Sequence, residues 1–298
     1  MLRIGMLTSG GDCQALNAAM RGVVKGVCTK RDDVEIYGFE DGYKGLIYGN
    51  FHMLTSKDFS GILTRGGTIL GTSRQPFKLM RVPDKDGLDK VAAMKHTYHK
   101  LSLDCLVILG GNGTHKTANL LREEGLNVVT LPKTIDNDLI HTDHTPGFGS
   151  AARYVASTVR EITIDANVYE KKSVTIIEIM GRHAGWLTAA SALARKYTGD
   201  NPLLIYLPET AFDQEEFLKA VENSFEKNCN VIVCVSEGIH DDKGTFICEY
   251  DNSVGTDTFG HKMLAGCGKY LENLVRNRLG VKACLLYTSP SPRDKRQS

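Results

Sequence analysis

Short apolar runs alternate along this chain with longer amphipathic stretches. Seven of the runs have the length and the Val, Ile and Leu content of buried strands, and they lie at residues 2–8, 34–39, 103–109, 127–131, 174–179, 203–207 and 231–235. Strands that alternate with helices of ten or more residues predict parallel sheets with helices on both faces. The pattern therefore predicts an α/β protein.

A glycine-rich stretch lies where one of these strands should meet a helix. Residues 103–109 are apolar, Gly110-Gly111-Asn112-Gly113-Thr114 follows, and residues 114–121 then have a helical pattern. Such a turn exposes backbone N–H groups and the positive end of a helix, which favours phosphate. Any tight strand-to-helix turn also needs residues that tolerate positive φ, so a purely structural interpretation stays open at this point.

A second polar stretch follows the next predicted strand. It contains Lys133, Thr134, Asp136 and Asp138. Two carboxylates that are two residues apart face the same side of an extended chain. Beside a phosphate-binding turn, such a pair would suit Mg²⁺ binding and general-base catalysis. A helix cap or an Asx turn is the structural alternative, and the glycine turn upstream favours the chemical interpretation.

Several further blocks occur in a fixed order with these two. They are Thr8-Ser-Gly-Gly-Asp-Cys13, Gly66-Gly-Thr-Ile-Leu-Gly-Thr-Ser-Arg74, Pro146-Gly-Phe-Gly-Ser-Ala-Ala-Arg153, Glu178-Ile-Met-Gly-Arg-His-Ala-Gly-Trp186, Leu207-Pro-Glu209 and Ser236-Glu-Gly238. The whole set resembles the phosphofructokinase family and extends to about residue 283. The resemblance implies two Rossmann-like α/β domains with mainly parallel sheets covered by helices and an active site in the interdomain cleft. The donor domain would be 1–139 and the fructose 6-phosphate domain 140–283.

The resemblance also implies a role for individual residues. Asp136 would be the catalytic base, with Arg182 and Lys133 as the catalytic cations. Mg²⁺ would be held by Asp136, Asp138 and Asn112, although the family usually has aspartate at the position of Asn112. The phosphoryl donor would contact Gly11, Arg74, Gly111, Asn112, Gly113 and Thr114. Fructose 6-phosphate would contact Thr134, Asp136, Met180, Gly181, Arg182 and Glu237.

Two positions give conflicting indications of the phosphoryl donor. ATP-using members have glycine where Gly113 stands, whereas pyrophosphate-using members typically have aspartate there. Pyrophosphate users carry lysine at the position of Lys133, where many bacterial ATP enzymes have glycine. Since a carboxylate at position 113 would repel the α-phosphate of a nucleotide, we predict ATP as the donor and keep pyrophosphate as the alternative.

The end of the chain departs from the family. Cys284 stands where an arginine is expected, and residues 284–298 read as a non-native tail after a truncation, with a natural disordered terminus as the alternative. Ser173, preceded by Lys172, stands where many members supply an arginine to a neighbouring subunit. If the chain is truncated, a silent nucleotide-binding fragment is an alternative to an active enzyme. A related kinase that acts on NAD or a lipid is a further alternative.

Composition narrows the class of protein. The chain has 298 residues and a formal net charge of +1, which argues against an electrostatic nucleic-acid binder. It has no apolar run long enough to span a membrane and no leader pattern, so we expect a cytoplasmic protein. The eight cysteines form no CxxC or Cys/His cluster, which predicts reduced thiols. The family resemblance implies a homo-oligomer.

Overall fold

The structure, a computed structural model, describes residues 1–250 and 266–288. Its strands are β1 (Leu2–Ser9), β2 (Val34–Phe39), β3 (Phe51–Leu54), β4 (Cys105–Gly110), β5 (Val128–Pro132), β6 (Ser173–Ile179), β7 (Leu204–Tyr206), β8 (Asn230–Ser236) and β9 (Lys282–Thr288). Its helices are α1 (Ala15–Cys28), α2 (Tyr43–Tyr48), α3 (Lys90–Lys100), α4 (Asn112–Glu123), α5 (Phe148–Ala166), α6 (Trp186–Ala190), α7 (Gln214–Ser224) and α8 (Cys267–Leu279).

The described residues form two compact units. The first contains Met1–Ile135 and Thr145–Gly147, and the second contains Asp136–His144 and the described residues from Phe148 onward. The chain therefore crosses between the units at three points near the expected boundary, after residues 135, 144 and 147, rather than once after residue 139. The prediction that the active site lies in a cleft between two domains stays a prediction.

The first unit is built on a five-stranded sheet with the order β3-β2-β1-β4-β5. Each pair of adjacent strands in this sheet is parallel except β2 and β3, which are antiparallel. Alternate residues of β4 pack into different clusters on the two faces, because successive side chains of a strand point in opposite directions. Leu106 and Ile108 join one apolar cluster, and Val107 and Leu109 join the other. Both faces of this sheet therefore carry a hydrophobic core.

The second unit is built on a four-stranded sheet with the order β7-β8-β6-β9, in which every pair is parallel. Each residue of β8, from Asn230 to Ser236, is buried. A continuous apolar run of this kind is typical of a central strand covered on both faces. The α/β class and the mainly parallel sheets are thus confirmed.

The local chemistry of the helices explains where several of them begin and end. The Asp89 carboxylate accepts hydrogen bonds from the N–H groups of Val91 and Ala92 at the start of α3. Asp213 accepts one from Glu216 at the start of α7. Helix α8 ends at Gly280, whose φ of 66° is left-handed and favours glycine. No helix among the described residues is long and apolar enough to cross a membrane.

All seven strands predicted from the sequence are present, with ends that differ by no more than two residues. Strand β3, which is only four residues long, was not predicted. Residues Cys284 to Thr288 were predicted to belong to the tail, but they lie in β9 and pair with Thr175 to Ile179 of β6. The rest of the expected tail, from residue 289, lies outside the described residues.

Helix α2 is a short helix that the sequence pattern did not predict. It contains only six residues and has Gly45 at its centre, so its sequence carries little helical signal. Its first residue, Tyr43, is fully buried, and the Tyr43 hydroxyl donates a 2.7 Å hydrogen bond to the carbonyl oxygen of Thr114 in the first turn of α4. Tertiary contacts of this kind stabilise α2, and they connect it to the glycine-rich turn.

We predict that Tyr43→Phe lowers the free energy of unfolding by about 1 kcal/mol, because it removes a buried hydrogen bond and little volume. Urea denaturation followed by circular dichroism measures the change. Tyr48→Phe is the matched control, since the Tyr48 hydroxyl bonds to Asp84 at the surface, and we expect it to cost less than about 0.5 kcal/mol. Equal losses in the two variants would contradict the importance of the Tyr43 contact.

Candidate active site

The carboxyl ends of three neighbouring strands meet at one edge of the first sheet. In the parallel register, Ser9 of β1 pairs with Gly110 of β4, which pairs with Pro132 of β5. The residues that follow these ends are Gly10-Gly11, Gly111 and Lys133. Ligands of open α/β sheets bind at this edge. The parallel pairing therefore brings together two glycine turns and a cation that are far apart in the sequence.

Helix α4 begins two residues earlier than the sequence pattern indicated. Gly111 is its N-cap, so Asn112, Gly113 and Thr114 form its first turn. The first N–H groups of a helix have no partner within the helix and attract anions. These three residues, which were predicted to contact the donor, are thus located where backbone N–H groups are free of intrahelical bonds.

The glycines of this turn are not explained by positive φ. Gly111 has φ −91°, and neither Gly110 nor Gly113 is left-handed. Gly110 has a steric role, because a Cβ atom there would collide with the Thr114 side chain. Gly113 has no such constraint, since nothing lies within 4 Å of the position of its missing Cβ. The structural interpretation based on positive φ was therefore wrong for this motif.

Two cationic residues lie near these strand ends, Lys133 directly after β5 and Arg74 in an irregular segment that is hydrogen-bonded to Gly10 through Ser73. The Lys133 N–H donates to the Gly110 carbonyl oxygen at 3.0 Å, and the Lys133 Nζ lies 3.7 Å from the position where a Cβ of Gly11 would be. Arg74 is exposed and follows Ser73, whose carbonyl oxygen accepts a hydrogen bond from the Gly10 N–H at 3.3 Å. The Lys133 side chain and the backbone next to Arg74 therefore both lie close to the Gly10-Gly11 turn.

The segment with the two carboxylates is not an extended chain. Asn137 has φ 57°, a left-handed conformation that ends the alternation of side chains between Asp136 and Asp138. Asp136 is half-buried and Asp138 is exposed. The argument that the two carboxylates share a side because they are two residues apart is therefore wrong. Their assignment to catalysis and metal binding stays a prediction.

The second unit has its own set of strand ends. Ile179 of β6 pairs with Ser236 of β8, and the chain continues into Met180-Gly181-Arg182 after β6 and into Glu237 after β8. The Glu237 N–H donates to the Ile179 carbonyl oxygen at 2.9 Å. The Gly181 N–H donates in turn to the Glu237 carboxylate at 3.4 Å. The structure thus brings together Met180, Gly181, Arg182 and Glu237, which are four of the five residues of this unit predicted to contact the sugar phosphate. The fifth is Asp136.

Two glycines allow these turns to pack closely. Gly181 has φ 141°, and a Cβ there would lie 2.5 Å from the Ala184 carbonyl oxygen. A Cβ on Gly238 would collide with the carbonyl oxygen of Arg182. The Ser236 hydroxyl, which is fully buried, donates to the Gly181 carbonyl oxygen at 2.5 Å. Ser236 was not among the predicted site residues, although it belongs to one of the sequence blocks.

Two carboxyl groups are buried in this region. Burial raises the pKa of Glu237 above its ordinary value of 4.5, while the Gly181 N–H and the Arg182 charge act to lower it. The charges of Glu178 and Asp136 raise this pKa further. Burial likewise raises the pKa of Glu178, which is 1% exposed and accepts hydrogen bonds from the N–H groups of Gly266 and Gly268 at the start of α8. Sequence reasoning did not single out Glu178.

Lys172 and Ser173, which stand where many family members supply an arginine to a neighbouring subunit, both contact residues of this chain. The Lys172 Nζ lies 5.3 Å from the centre of the Phe225 ring of the same chain, a cation–π contact. The Ser173 hydroxyl donates to the Asn230 side chain at 2.7 Å. Both residues thus have partners within the chain.

Comparison with known proteins identifies the family. The phosphofructokinase family model matches residues 3–287. The chain belongs to the phosphofructokinase family. Among curated phosphofructokinases, the ATP-dependent 6-phosphofructokinase of Spirochaeta thermophila is 48% identical over 242 residues, which is 78% of this chain and 63% of that protein. The alignment therefore spans less than two thirds of that relative's length.

Other phosphofructokinases are similar over more of the chain. The ATP-dependent 6-phosphofructokinase 2 of Streptomyces coelicolor is 38% identical over 95% of this chain and 78% of that protein. The pyrophosphate–fructose 6-phosphate 1-phosphotransferase of Amycolatopsis methanolica is 37% identical over 95% of this chain and 77% of that protein. These two relatives, whose names give different donors, are thus about equally similar to the chain.

Solved structures confirm the phosphofructokinase fold. The pyrophosphate-dependent phosphofructokinase of Marinobacter aquaeolei superposes with a TM-score of 0.76 at 24% identity, over 96% of this chain and 68% of that chain. The T-state phosphofructokinase of Pichia pastoris gives a TM-score of 0.71 at 25% identity, over 96% of this chain and 29% of the other.

We predict that Glu237→Gln raises the free energy of unfolding at pH 8 and that this gain shrinks as the pH falls toward 4.5. The folded protein binds the Glu237 proton more tightly than the unfolded chain does, so the wild type loses stability as the pH rises through the raised pKa. Urea denaturation at several pH values measures this. Glu226→Gln, at an exposed position, is the control. A gain that does not depend on pH would contradict the prediction.

Proposed function

We propose that this chain transfers a phosphoryl group from ATP to the C1 hydroxyl of fructose 6-phosphate, giving fructose 1,6-bisphosphate in glycolysis. The observation that carries the proposal is the match of the phosphofructokinase family model to almost the whole chain. It is supported by relatives named 6-phosphofructokinase, among them one that is 48% identical. The site geometry agrees, since the expected residues follow the carboxyl ends of strands in both units.

Asp136 would act as the general base. As the C1 oxygen attacks the terminal phosphorus of the donor, the carboxylate would accept the proton of the hydroxyl group. Asp136 supports this role by its position, because it is half-buried and lies in the segment after β5 that also carries Lys133 and Thr134. Glu237 would accept a hydrogen bond from a sugar hydroxyl, and the Gly181 N–H fixes the orientation of its carboxylate.

Arg182 and Lys133 would neutralise the negative charge that develops during transfer. Phosphoryl transfer depends mainly on positioning and on charge stabilisation, so fixed cations contribute strongly. The Arg182 guanidinium can hold a phosphate through two hydrogen bonds, whereas the Lys133 ammonium acts as a point charge. Lys133 is well placed for the donor, because its side chain extends to the Gly11 turn.

The chain also offers ligands for Mg²⁺. The described residues contain no group of three or more His, Cys, Asp or Glu side chains that could hold a metal ion by themselves. Mg²⁺ does not need such a group, since it keeps several waters and is bound by one or two carboxylates together with substrate phosphates. Asp136 and Asp138 would supply the carboxylates and Asn112 an amide oxygen. The ion would reduce the negative charge on the donor phosphates.

ATP is the preferred donor because of the space at position 113. The absence of atoms within 4 Å of the missing Gly113 Cβ leaves the first turn of α4 open to a nucleotide. Pyrophosphate is the second candidate, because Lys133 extends over the Gly11 turn and some relatives are named as pyrophosphate enzymes. An assay of fructose 6-phosphate phosphorylation with ATP and with pyrophosphate, side by side on folded protein, decides between them.

The same assay separates the remaining alternatives. Folded protein that is inactive with both donors would support a silent nucleotide-binding fragment. Activity on NAD or diacylglycerol, without activity on fructose 6-phosphate, would instead indicate a related kinase. Turnover with either donor would contradict both of these alternatives and support the proposed reaction.

We also propose that the chain forms a homo-oligomer in the cytoplasm. Helix α5 packs against α6 and the 3₁₀ turn that follows α6, and these elements leave Ile164, Trp186 and Leu193 exposed. Exposed large apolar side chains on neighbouring elements favour self-association. All eight cysteines are free thiols, which is consistent with a reducing compartment. Sedimentation velocity measures the state of assembly.

We predict that Asp136→Ala lowers kcat by about 10²- to 10⁴-fold and leaves donor affinity within about twofold, because a base acts mainly in the transition state. Initial rates and calorimetric titration with the donor measure the two effects. Asp143→Ala, which changes an exposed aspartate of the same segment, should leave both unchanged. Loss of donor binding in Asp136→Ala would assign Asp136 to a metal or structural role instead.

We predict that Gly113→Asp shifts the ratio of kcat/KM from ATP toward pyrophosphate by roughly tenfold or more, because the new carboxylate repels the α-phosphate of the nucleotide. The fold should tolerate the change, since Gly113 is not left-handed and has free space around it. Gly113→Ala adds a carbon without charge and is the control. An unchanged ratio in Gly113→Asp would remove the argument for ATP from this position.

A further inference from the structure

Residues 136–144 form a loop whose two ends are joined by hydrogen bonds. We call the joined ends of the loop the neck. It consists of Thr134 on one side and of Thr145, Pro146 and Gly147 on the other. The Thr145 hydroxyl donates to the Thr134 carbonyl oxygen at 2.7 Å, and the Thr134 N–H donates to the Pro146 carbonyl oxygen at 3.2 Å. Thr134 and Gly147 also form a parallel β-bridge. The loop thus leaves and re-enters the first unit at one closed point.

The neck is packed as well as hydrogen-bonded. Thr145 is only 2% exposed. Gly147 has φ 112°, and a Cβ there would lie 2.9 Å from the Cys13 Sγ and 3.3 Å from the Thr134 carbonyl oxygen. A larger residue at position 147 would therefore force the neck apart. Ile135, the last residue before the loop, packs against the apolar cluster that contains Cys13. The neck is consequently anchored to a hydrophobic core.

The loop itself has an internal tie. The Asn137 side chain, which is 8% exposed, donates to the Asp143 carbonyl oxygen at 3.2 Å and so connects the two arms of the loop. Asp136 lies between this tie and the neck. Two cross-connections therefore bracket the residue that we propose as the base, one on each side.

From this geometry we infer that Thr145 is a positioning residue for Asp136. Its hydroxyl closes the neck and restricts the conformations of the short segment that carries the carboxylate. A base that is free to move spends less time within reach of the hydroxyl proton, so loosening the neck lowers kcat more than it changes substrate binding. The inference builds on the proposed function, because it takes Asp136 as the base.

The test compares three single variants. Thr145→Val keeps the shape of the side chain and removes the donated hydrogen bond. Thr145→Ser keeps the hydroxyl and loses a methyl group. Thr142→Val is the matched control, since the Thr142 hydroxyl lies on the same loop, is exposed, and bonds to the Ile140 carbonyl oxygen at 3.3 Å. Thermal denaturation of each variant checks that the fold is retained.

We expect Thr145→Val to lower kcat roughly tenfold or more, with the KM for the donor within about twofold. Amide hydrogen exchange of peptides covering residues 136–144 should become faster in Thr145→Val. Thr145→Ser should restore both kcat and slow exchange, and Thr142→Val should leave both unchanged. In the Asp136→Ala background, Thr145→Val should lower kcat little further, because Thr145 acts on the reaction only by positioning Asp136.

Several results would overturn the inference. One is wild-type kcat in Thr145→Val, another is unchanged exchange of the loop, and a third is a full additional loss in the Asp136→Ala background. A wild-type chain that phosphorylates nothing would contradict the proposed function instead. The exchange comparison would then still decide whether the Thr145 hydroxyl closes the loop.

Discussion

The parallel pairing of β1, β4 and β5 is the interaction on which the candidate site residues of the first unit depend. It fixes Ser9, Gly110 and Pro132 in one row, so whatever follows each strand starts from the same edge of the sheet. The Lys133 N–H, bonded to the Gly110 carbonyl oxygen, continues this row by one residue beyond the strands. Backbone hydrogen bonds, rather than side-chain contacts, therefore bring these distant parts of the sequence together.

The candidate site residues of the second unit depend on an equivalent pairing, that of β6 with β8, with one difference. There the strand ends of β6 and β8 approach so closely that Gly181 and Gly238 have no room for a side chain. The buried carboxylate of Glu178 on β6 accepts hydrogen bonds from the N–H groups of Gly266 and Gly268 at the start of α8. A carboxyl group at a helix N-terminus is favourable even where burial opposes its charge. Helix α8 and the turn that contains Gly181 are thus both held by residues at the end of β6.

Much of this architecture could be predicted because it follows from local patterns. Continuous apolar runs such as residues 231–235 have one stable environment, the centre of a covered sheet, and all seven predicted strands formed. The motifs also follow strand ends as expected, whereas the roles that the family resemblance assigns to their residues stay predictions. The family and the fold class were both confirmed by comparison with known proteins.

What the sequence did not show depends on contacts between distant residues. Helix α2 is stabilised by the Tyr43 bond to α4, and its own six residues have little helical preference. The left-handed Asn137 breaks the alternation that placed Asp136 and Asp138 on one side. Asparagine tolerates this conformation but does not require it, so the sequence indicated a turn here only as an alternative. The start of α4 at Asn112 likewise follows from the end of β4, where Gly110 must accommodate Thr114.

The free space around Gly113 has a consequence for how this turn can vary in evolution. A Cβ atom at Gly110 would collide with the Thr114 side chain, so that position is closed to larger residues. Position 113 is different, because its φ is not left-handed and nothing lies within 4 Å of the missing Cβ. Mutations at this codon can therefore change the charge at the start of α4 while the neighbouring sheet edge keeps its packing.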